Sequence, residues 1–379
     1  MAPGALTARA LNRATLARQG LLEPIRRAPP SDAVRQVGSL QAQHPEWPPV
    51  ALASRAADAR TADLAGALDR REVVRSSLMR TTIHVVASDD LWPMFAVCQP
   101  MRLNQWKLVV KADPIDSPLG RRYRAAHEVA LEALREEPRS SGDLDRLMAA
   151  RVKGAVARAA WRHLAAFVPL VHVPHVEEGY GRSRYAIAEA WLGEAPPDID
   201  PHDARVHVAR RYLGAFGPSS VEDLAAYVGG GVGGITPWRR AIEALGDELV
   251  SLRDEGGRTL HDLHDAPRPS PDAPAPPRLL ARWDSLLLSH ATKHRQRFIA
   301  DRHRTAIYTR NADVRPALLV DGFVSGTWEL GRRDGEVAIE VRPLVRLDAA
   351  DRKAVEAEAH RLLCLVAADA DGRVVRIGR

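Results

Sequence analysis

One order of elements occurs three times before residue 265, and this recurrence constrains the fold more than any single motif does. The order is helix, short capped helix, helix and hairpin. In the first pass, "ALTARALNRATLARQGL", "SDAVRQVGSLQAQ" and "TADLAGALDRREVV" predict helices, the last two with Ser31 and Thr61 as N-caps. The β-branched residues around Arg80, Thr81 and Thr82 in "VVRSSLMRTTIHVVA" predict a short hairpin.

The second and third passes repeat this order. "RYRAAHEVALEALREE", "SSGDLDRLMAARV" and "AVARAAWRHLAAF" predict three helices, of which the short second one lies behind a serine cap, and "PLVHVPHVEEGYGRSRYAIA" predicts two strands. Next, "HDARVHVARRYLGAFG", "PSSVEDLAAYVG" and "TPWRRAIEALGD" predict helices, with Ser220 and Thr236 as N-caps and Pro237 at the first helical position. "ELVSLRDEGGRTLHDL" predicts a hairpin that turns at its two adjacent glycines.

The remaining chain has a different composition. Asp265 to Arg278 is rich in proline and alanine, which predicts a semi-rigid linker. A β-rich segment with Asp-Gly turns follows, and "DAADRKAVEAEAHRLLCLVAAD" predicts a closing helix over a small barrel or curled sheet.

The predicted fold class is therefore α+β, with three tandem winged helix-turn-helix units followed by a C-terminal β-barrel-like segment and a closing helix. The same order of elements also fits other α+β folds. The predicted boundaries are 1–110, 111–196 and 197–265 for the three units, 266–278 for the linker and 279–379 for the C-terminal segment.

Charge and composition narrow the functional class. The chain of 379 residues has 54 Lys and Arg against 48 Asp and Glu, and its net charge of +6 favours a polyanionic partner. The distant Cys98 and Cys364 lie in apolar sequence, which predicts buried free thiols in a reducing compartment. Since no signal peptide, membrane span or metal motif is evident, we expect a cytoplasmic protein with no metal, cofactor or membrane contact.

The stretch "GSLQAQHPEWPP" places Gln41 and Gln43 where a helix gives way to extended chain. Side chains two residues apart diverge on a helix but share a face in extended backbone. Pro45 pushes His44 toward extended conformation, and the next two prolines predict that no helix restarts. The two amides could then converge on one small molecule such as water. Alternatively, they are solvated glutamines that close a helix.

Several stretches together resemble the AlkZ family of winged-helix DNA glycosylases. They are "LNRATLARQGL", "GSLQAQHPEWPPVALASR", "LMRTTIHVVASDDLW", "LLARWDSLLLSH" and "PALLVDGFVSGTW", so the resemblance covers nearly the whole chain. It implies three winged helices, a C-terminal β-barrel and a catalytic Gln-x-Gln motif on Gln41-Ala42-Gln43. One departure is "SHATKHRQRF", where many relatives have a more acidic, tyrosine-containing segment. The resemblance therefore specifies the reaction better than the substrate.

The implied chemistry is hydrolysis of the N-glycosidic bond of a guanine alkylated at N7. Such a base is already cationic and leaves readily, so orienting a water by two neutral amides suffices. No lysine is marked as a Schiff-base nucleophile, which predicts a monofunctional glycosylase acting on double-stranded DNA with alkylated purines. The resemblance also implies bulky natural-product adducts or interstrand crosslinks as substrates, and self-resistance as the setting.

Other candidate residues carry weaker signals. Basic side chains, a hairpin tip and the RxTxH-like segment suggest DNA contacts, whereas an aromatic-Asp pair and the histidine after the motif suggest the pocket. Each signal also has a structural explanation. The basic side chains fit a solvated face, the hairpin tip fits a plain surface turn, the histidine of the RxTxH-like segment fits a structural histidine, and the aspartate of the pair fits a strand cap. The candidates for DNA binding are Arg80, Thr82, His84, Lys293, Arg295, Arg297, Arg332 and Arg333, and those for the pocket are His44, Trp283 and Asp284.

Two alternatives need no catalysis. A winged-helix regulator would read one operator sequence, and a shielding protein would bind adducts without cleaving them. The predicted third helices carry few base-reading side chains, which weakens the regulator hypothesis.

Overall fold

The computed structural model describes residues 5–110, 118–152, 160–175, 179–230, 234–311, 313–333 and 335–378. Its helices and strands form an α+β fold, as the sequence predicts. No helix within these ranges is long and apolar enough to cross a membrane.

The first unit contains more elements than the sequence predicts. They are α1 (Ala8–Arg18), α2 (Pro30–Val37), β1 (Leu40–Gln41), α3 (Trp47–Ala53), α4 (Thr61–Asp69), β2 (Val73–Ser77), β3 (Ile83–Ala87) and α5 (Leu91–Val110). The predicted hairpin is confirmed as β2 and β3.

Three local predictions in this unit are wrong. Ser31 and Thr61 lie inside α2 and α4, whose N-caps are Pro29 and Arg60. A helix does restart after the motif, because the two prolines at the start of α3 occupy its first turn. Backbone N–H groups there need no partner within the helix, so proline is tolerated.

The second unit matches its predicted order with one change. It consists of α6 (Pro118–Glu136), α7 (Ser141–Arg151), a 3₁₀ helix (Ala160–Ala166), β4 (Leu170–His175), β5 (Gly179–Ile187) and α8 (Ala188–Leu192). The serine cap is confirmed, since the Ser140 hydroxyl accepts the Asp143 N–H at 3.1 Å. The third predicted helix, 155–167, is a 3₁₀ helix in its described part, and residues 155–159 lie outside the described ranges.

The third unit follows the prediction closely. It contains α9 (Pro201–Phe216), α10 (Val221–Val228), α11 (Thr236–Glu243), β6 (Leu249–Arg253) and β7 (Thr259–Leu263). Ser220 caps α10, with its hydroxyl accepting the Asp223 N–H. Thr236 is the first residue of α11 rather than its cap, so the start is one residue earlier than predicted.

The hairpins of the first two units belong to one five-stranded sheet, in the order β1-β3-β2-β4-β5. Ser76 of β2 is opposite Val171 of β4, and the Ser76 hydroxyl donates to the Leu170 carbonyl at 2.8 Å. The third hairpin forms a separate two-stranded sheet. The first two units are therefore joined by backbone pairing that the linear order of elements does not predict.

The C-terminal segment forms a second five-stranded sheet, in the order β12-β11-β10-β9-β8. Its elements are β8 (Arg278–Leu280), α12 (Ser285–Leu288), α13 (Arg304–Ile307), β9 (Ala317–Val320), β10 (Phe323–Arg333), β11 (Glu336–Pro343), α14 (Ala349–Val366) and β12 (Gly372–Ile377). The predicted closing helix is α14, which contacts both edge strands, β8 and β12. Barrel-like closure of this sheet stays a prediction.

The proline-rich linker has neither helix nor strand up to Pro277, but it is packed along α1. Arg9 Nε donates to the Pro271 carbonyl at 2.9 Å, and Arg13 Nε donates to the Ala273 carbonyl at 2.7 Å. Its predicted last residue, Arg278, instead begins β8. The linker thus fastens the first unit to the C-terminal segment.

These two parts of the chain also share a hydrophobic core. Leu52 and Leu64 of the first unit pack in one cluster with Trp328 and Leu363 of the C-terminal segment. Of the two free cysteines, Cys98 is buried as predicted, whereas Cys364 lies on the exposed face of α14.

Candidate active site

Both glutamines of the motif lie outside helices, on the edge strand β1 and just after it. Gln41 is opposite His84 of β3, and the Ala42 N–H donates to the Ile83 carbonyl at 2.7 Å. The Ala42 side chain is fully buried, while Gln41 is half-buried and Gln43 is exposed. This alternation of burial fits extended backbone, in which alternate residues share a face.

Each glutamine oxygen accepts one hydrogen bond from the protein. Arg80 Nη2 donates to Gln41 Oε1 at 3.4 Å, and the Ile83 N–H donates to Gln43 Oε1 at 3.3 Å. Both distances are long for N–H···O bonds, and a carbonyl oxygen has two lone pairs. Each amide is therefore oriented by a protein donor and retains a lone pair for a water.

Arg80 connects the motif to the third unit. Arg80 and Thr81 have φ of 52° and 56°, the left-handed conformation that residues other than glycine adopt at a cost. The Arg80 guanidinium lies 5.4 Å from the centre of the Tyr227 ring and donates to the Tyr227 carbonyl. Burial, together with the nearby charge of Arg295, lowers the pKa of Arg80.

His84 is fully buried behind Arg80. Its Nδ1 lies 3.0 Å from the Thr82 carbonyl, which can only accept, so Nδ1 carries the proton. The unprotonated Nε2 then accepts from Arg80 Nη2 at 3.4 Å. Burial and the Arg80 charge lower the pKa of His84 to about 3, so the ring is neutral near pH 7. This placement makes His84 a support for Arg80 rather than a DNA contact, and the Thr82 hydroxyl donates to the Met79 carbonyl.

The buried neutral state of His84 predicts acid lability. Its pKa is about 3 in the folded protein against 6.5 ordinarily, so between these values the unfolded chain binds the extra proton and stability falls as pH falls. From pH 7 to pH 5 this loss is about 2 kcal/mol. In urea unfolding at both pH values, we expect His84→Gln to show a smaller pH dependence by that amount. An equal pH dependence in the wild type and the variant would contradict the assignment.

Arg75 holds the backbone of the motif in place, a role that was not predicted from the sequence. Its Nε and Nη2 both donate to the Ala42 carbonyl, at 3.1 and 2.9 Å, and the residue is buried in β2. It therefore fixes the peptide that separates the two glutamines. The one signal in the sequence is an arginine within the otherwise uncharged strand "VVRSS".

The pocket candidates separate into two kinds. His44 stacks on Trp283, with ring centres 4.8 Å apart and an interplanar angle of 26°, so an aromatic surface adjoins Gln43. Asp284 is fully buried, caps α12 through the Leu286 N–H, and binds Arg55 at 2.6 and 2.9 Å. These contacts give Asp284 a structural role.

The three basic candidates near residue 295 differ in burial and in hydrogen-bond partners. Arg295 donates to the His290 carbonyl and lies 4.9 Å from the centre of the Tyr308 ring, on the Arg80 side of the site. Lys293 is exposed and pairs with Glu222 at 2.8 Å. Arg297 is only 2% exposed and donates to the Pro218 carbonyl, so its burial argues against a phosphate contact. Burial also lowers its pKa to about 10.

Arg332 and Arg333 lie at the end of the β10–β11 hairpin, where Arg333 is opposite Glu336. Arg332 is exposed, and its Nη2 lies 3.3 Å from the Val366 carbonyl of α14. The side chain of Arg333 is outside the described part of the chain. The contacts described for Arg332 connect it to α14 and not to the glutamine motif.

Across the described ranges, no group of three His, Cys, Asp or Glu side chains could hold a metal ion. The groups around the motif are amides, guanidinium groups and a neutral imidazole.

Comparison with known proteins identifies DNA glycosylases that are similar to this chain. A relative from Streptomyces sahachiroi, an interstrand DNA cross-link repair glycosylase, is 29% identical over 161 residues, which cover 42% of each chain. The aligned part thus spans less than half of that curated relative. The solved structure of the Streptomyces sahachiroi DNA glycosylase AlkZ shares the fold, with a TM-score of 0.80 at 22% identity over 99% of this chain and 100% of that one.

The family assignment rests on a match over most of the chain. The sequence model of the family described as "DNA glycosylase AlkZ-like" matches residues 34–364, a range that includes the glutamine motif, the first five-stranded sheet, strands β8 to β11 of the second sheet and most of α14. This chain therefore belongs to the AlkZ-like family of DNA glycosylases.

Proposed function

We propose that this protein is a monofunctional DNA glycosylase that excises cationic N7-alkylguanines from double-stranded DNA. The observation that carries the proposal is the orientation of two neutral amides by fixed protein donors. Gln41 is held by Arg80 and Gln43 by the Ile83 N–H, so their oxygens can hold one water without introducing a charge.

The reaction needs little acid catalysis. The water oxygen forms a bond to C1′ as the bond from C1′ to N9 breaks, and the bonding electron pair neutralises the cationic base as it leaves. The proton that the water loses passes to solvent. Glutamine oxygens that accept from this water align it with C1′, so the expected contribution is proximity and orientation.

The positive charge beside the glutamine motif favours contact with a DNA phosphate over contact with a cationic base. The Arg295 guanidinium is near enough to Arg80 to repel its charge, which contributes to the lowered pKa of Arg80. A phosphate beside the lesion would relieve this repulsion, whereas a cationic base alone would increase it. We therefore propose that Arg80 and Arg295 bind the backbone next to the lesion, with exposed Lys293 and Arg332 as outer contacts.

The range of substrates is the finer part of the proposal. The Streptomyces sahachiroi relative carries the name of an interstrand cross-link repair glycosylase. By analogy, we propose bulky N7-linked natural-product adducts or crosslinks as substrates, in a self-resistance setting. Because such lesions are asymmetric, we propose that the protein acts as a monomer. We also propose that it is cytoplasmic and nucleoid-associated.

The direct test is release of free base from a duplex that carries 7-methylguanine. We expect chromatography to show 7-methylguanine released faster than by spontaneous depurination. Abasic sites should accumulate without strand cleavage, and borohydride should trap no covalent complex. A trapped complex would contradict the monofunctional mechanism. Binding without release, tested also on a bulky N7 adduct, would favour a shielding protein, and protection of one undamaged sequence would favour a regulator.

A further inference from the structure

A cavity of about 320 Å³ opens beside Gln43, which is one of its lining residues. Its walls come from the β2–β3 hairpin, α5, the 3₁₀ helix and strands β4 and β5. It therefore lies at the junction of the first two units. Its volume is at the lower end of the range typical of small-molecule pockets, roughly 300–1,000 Å³.

One wall of this cavity is aromatic. The ring centres of Trp161 and Tyr185 are 4.5 Å apart, and those of Tyr185 and His172 are 4.7 Å apart. Trp161 is fully buried, whereas Tyr185 and His172 are half-buried. Planar groups pack favourably against such a wall, by stacking or edge contacts.

Two side chains of α5, Arg102 and Gln105, add hydrogen-bond donors to the lining. Arg102 is 93% buried, being 7% exposed, and its Nη2 binds Ser77 while its Nη1 lies 3.4 Å from the Ala165 carbonyl. Its Nε is buried and has no hydrogen-bond partner. Gln105 donates to the Thr81 hydroxyl at 3.4 Å, and its exposed amide adds polar atoms to the rim.

The charges of the cavity select against cations. Arg102 and Arg162 both line it, and no Asp or Glu is among its described lining residues. Burial and the Arg75 charge lower the pKa of His172 to about 3, so this ring is neutral near pH 7. A cationic occupant would be repelled by these two guanidinium groups, because no carboxylate lies among the described lining residues. An uncharged aromatic group with hydrogen-bond acceptors would meet an aromatic wall and an unpaired donor.

We propose that this cavity is a specificity pocket for an uncharged, planar aromatic substituent carried by the lesion base. The substituent packs against Tyr185 and His172 and accepts from Arg102 Nε, while the glutamines act at the adjacent glycosidic bond. The proposal rests on the glycosylase activity proposed above and adds a substrate class to it. It assigns recognition of the substituent to the cavity beside Gln43, and backbone binding to Arg80 and Arg295.

The test fills the cavity without changing the glutamine motif. Ala165 lines the cavity and is half-buried, so Ala165→Phe should occupy its space, and Ala165→Ser is the matched control that leaves it open. Single-turnover release is measured on duplexes with 7-methylguanine or 7-benzylguanine. We expect Ala165→Phe to lower release of 7-benzylguanine roughly tenfold or more and to leave 7-methylguanine within about twofold. Ala165→Ser should resemble the wild type on both.

A second variant and a second measurement guard against misfolding and against loss of the activity itself. Tyr185→Ala removes one wall, and we expect the same selective loss on 7-benzylguanine. If the wild type releases neither base, the proposed function fails, and the pocket is tested by equilibrium binding of the two duplexes. Tighter binding of the benzylated duplex, abolished by Ala165→Phe, supports the pocket. Equal effects on both lesions, or none on the benzylated one, would overturn it.

Discussion

Replacement of both Gln41 and Gln43 by alanine is expected to reduce release of 7-methylguanine at least about 100-fold, to the level of spontaneous depurination. The two amide oxygens are the groups that can hold the attacking water, and their protein donors, Arg80 and the Ile83 N–H, remain in place. Each single variant should lose less than the double variant. Single-turnover base release, with circular dichroism to verify folding, measures the effect.

The matched control is Gln99→Ala, which removes a half-buried amide that lies 3.4 Å from the Phe167 carbonyl, outside the motif. It should release base at the wild-type rate. Gln43→Asp tests whether neutrality is required, since a carboxylate also accepts from water and adds stabilisation to a cationic sugar. Retained activity in Gln43→Asp fits water positioning. Full activity in the folded double variant would remove the glutamines from the mechanism.

Asp284→Ala is expected to lower the free energy of unfolding by about 3–5 kcal/mol, because it leaves the Arg55 guanidinium buried without its counter-charge. Arg55 and Asp284 are 1% and 0% exposed at their side chains, and the closest N···O distance is 2.6 Å. The pair joins the first unit to the C-terminal segment. Urea unfolding at 25 °C measures the change.

An exposed ion pair provides the control for this variant. Asp301 pairs with Arg304 at 3.4 Å, and the Asp301 side chain is 64% exposed. Asp301→Ala should cost at most about 1 kcal/mol, because solvent screens such pairs. If the two alanine variants unfold at the same urea concentration, the buried pair does not hold the two parts together.

Local sequence signals predicted much of the secondary structure. Ser140 and Ser220 cap their helices as expected, because a serine followed three residues later by aspartate satisfies the first N–H groups locally. The hairpin strands β2 and β3 follow from β-branched residues, and Gln43 lies outside any helix, just after strand β1, as the sequence predicts. These features depend on residues within one or two turns of each other.

Contacts between residues distant in sequence could not be predicted from these local signals. Nothing near Ser76 indicates that it will pair with Val171, since strand partners distant in sequence are chosen by packing. Arg297 stands in a basic run and reads as a surface residue, yet it is buried against Pro218. The left-handed conformation of Arg80 could not be predicted either, because the sequence has no glycine at that position to indicate it.

The sheet shared by the first two units limits how proteins of this design can be shortened or recombined. A chain cut at residue 110 would retain β2 but lose β4, so a strand that is now paired would become a bare edge prone to intermolecular association. The same cut would remove the aromatic wall beside Gln43. Exchange of substrate range between relatives would therefore require transferring the second unit with its strand register intact, rather than grafting the glutamine segment alone.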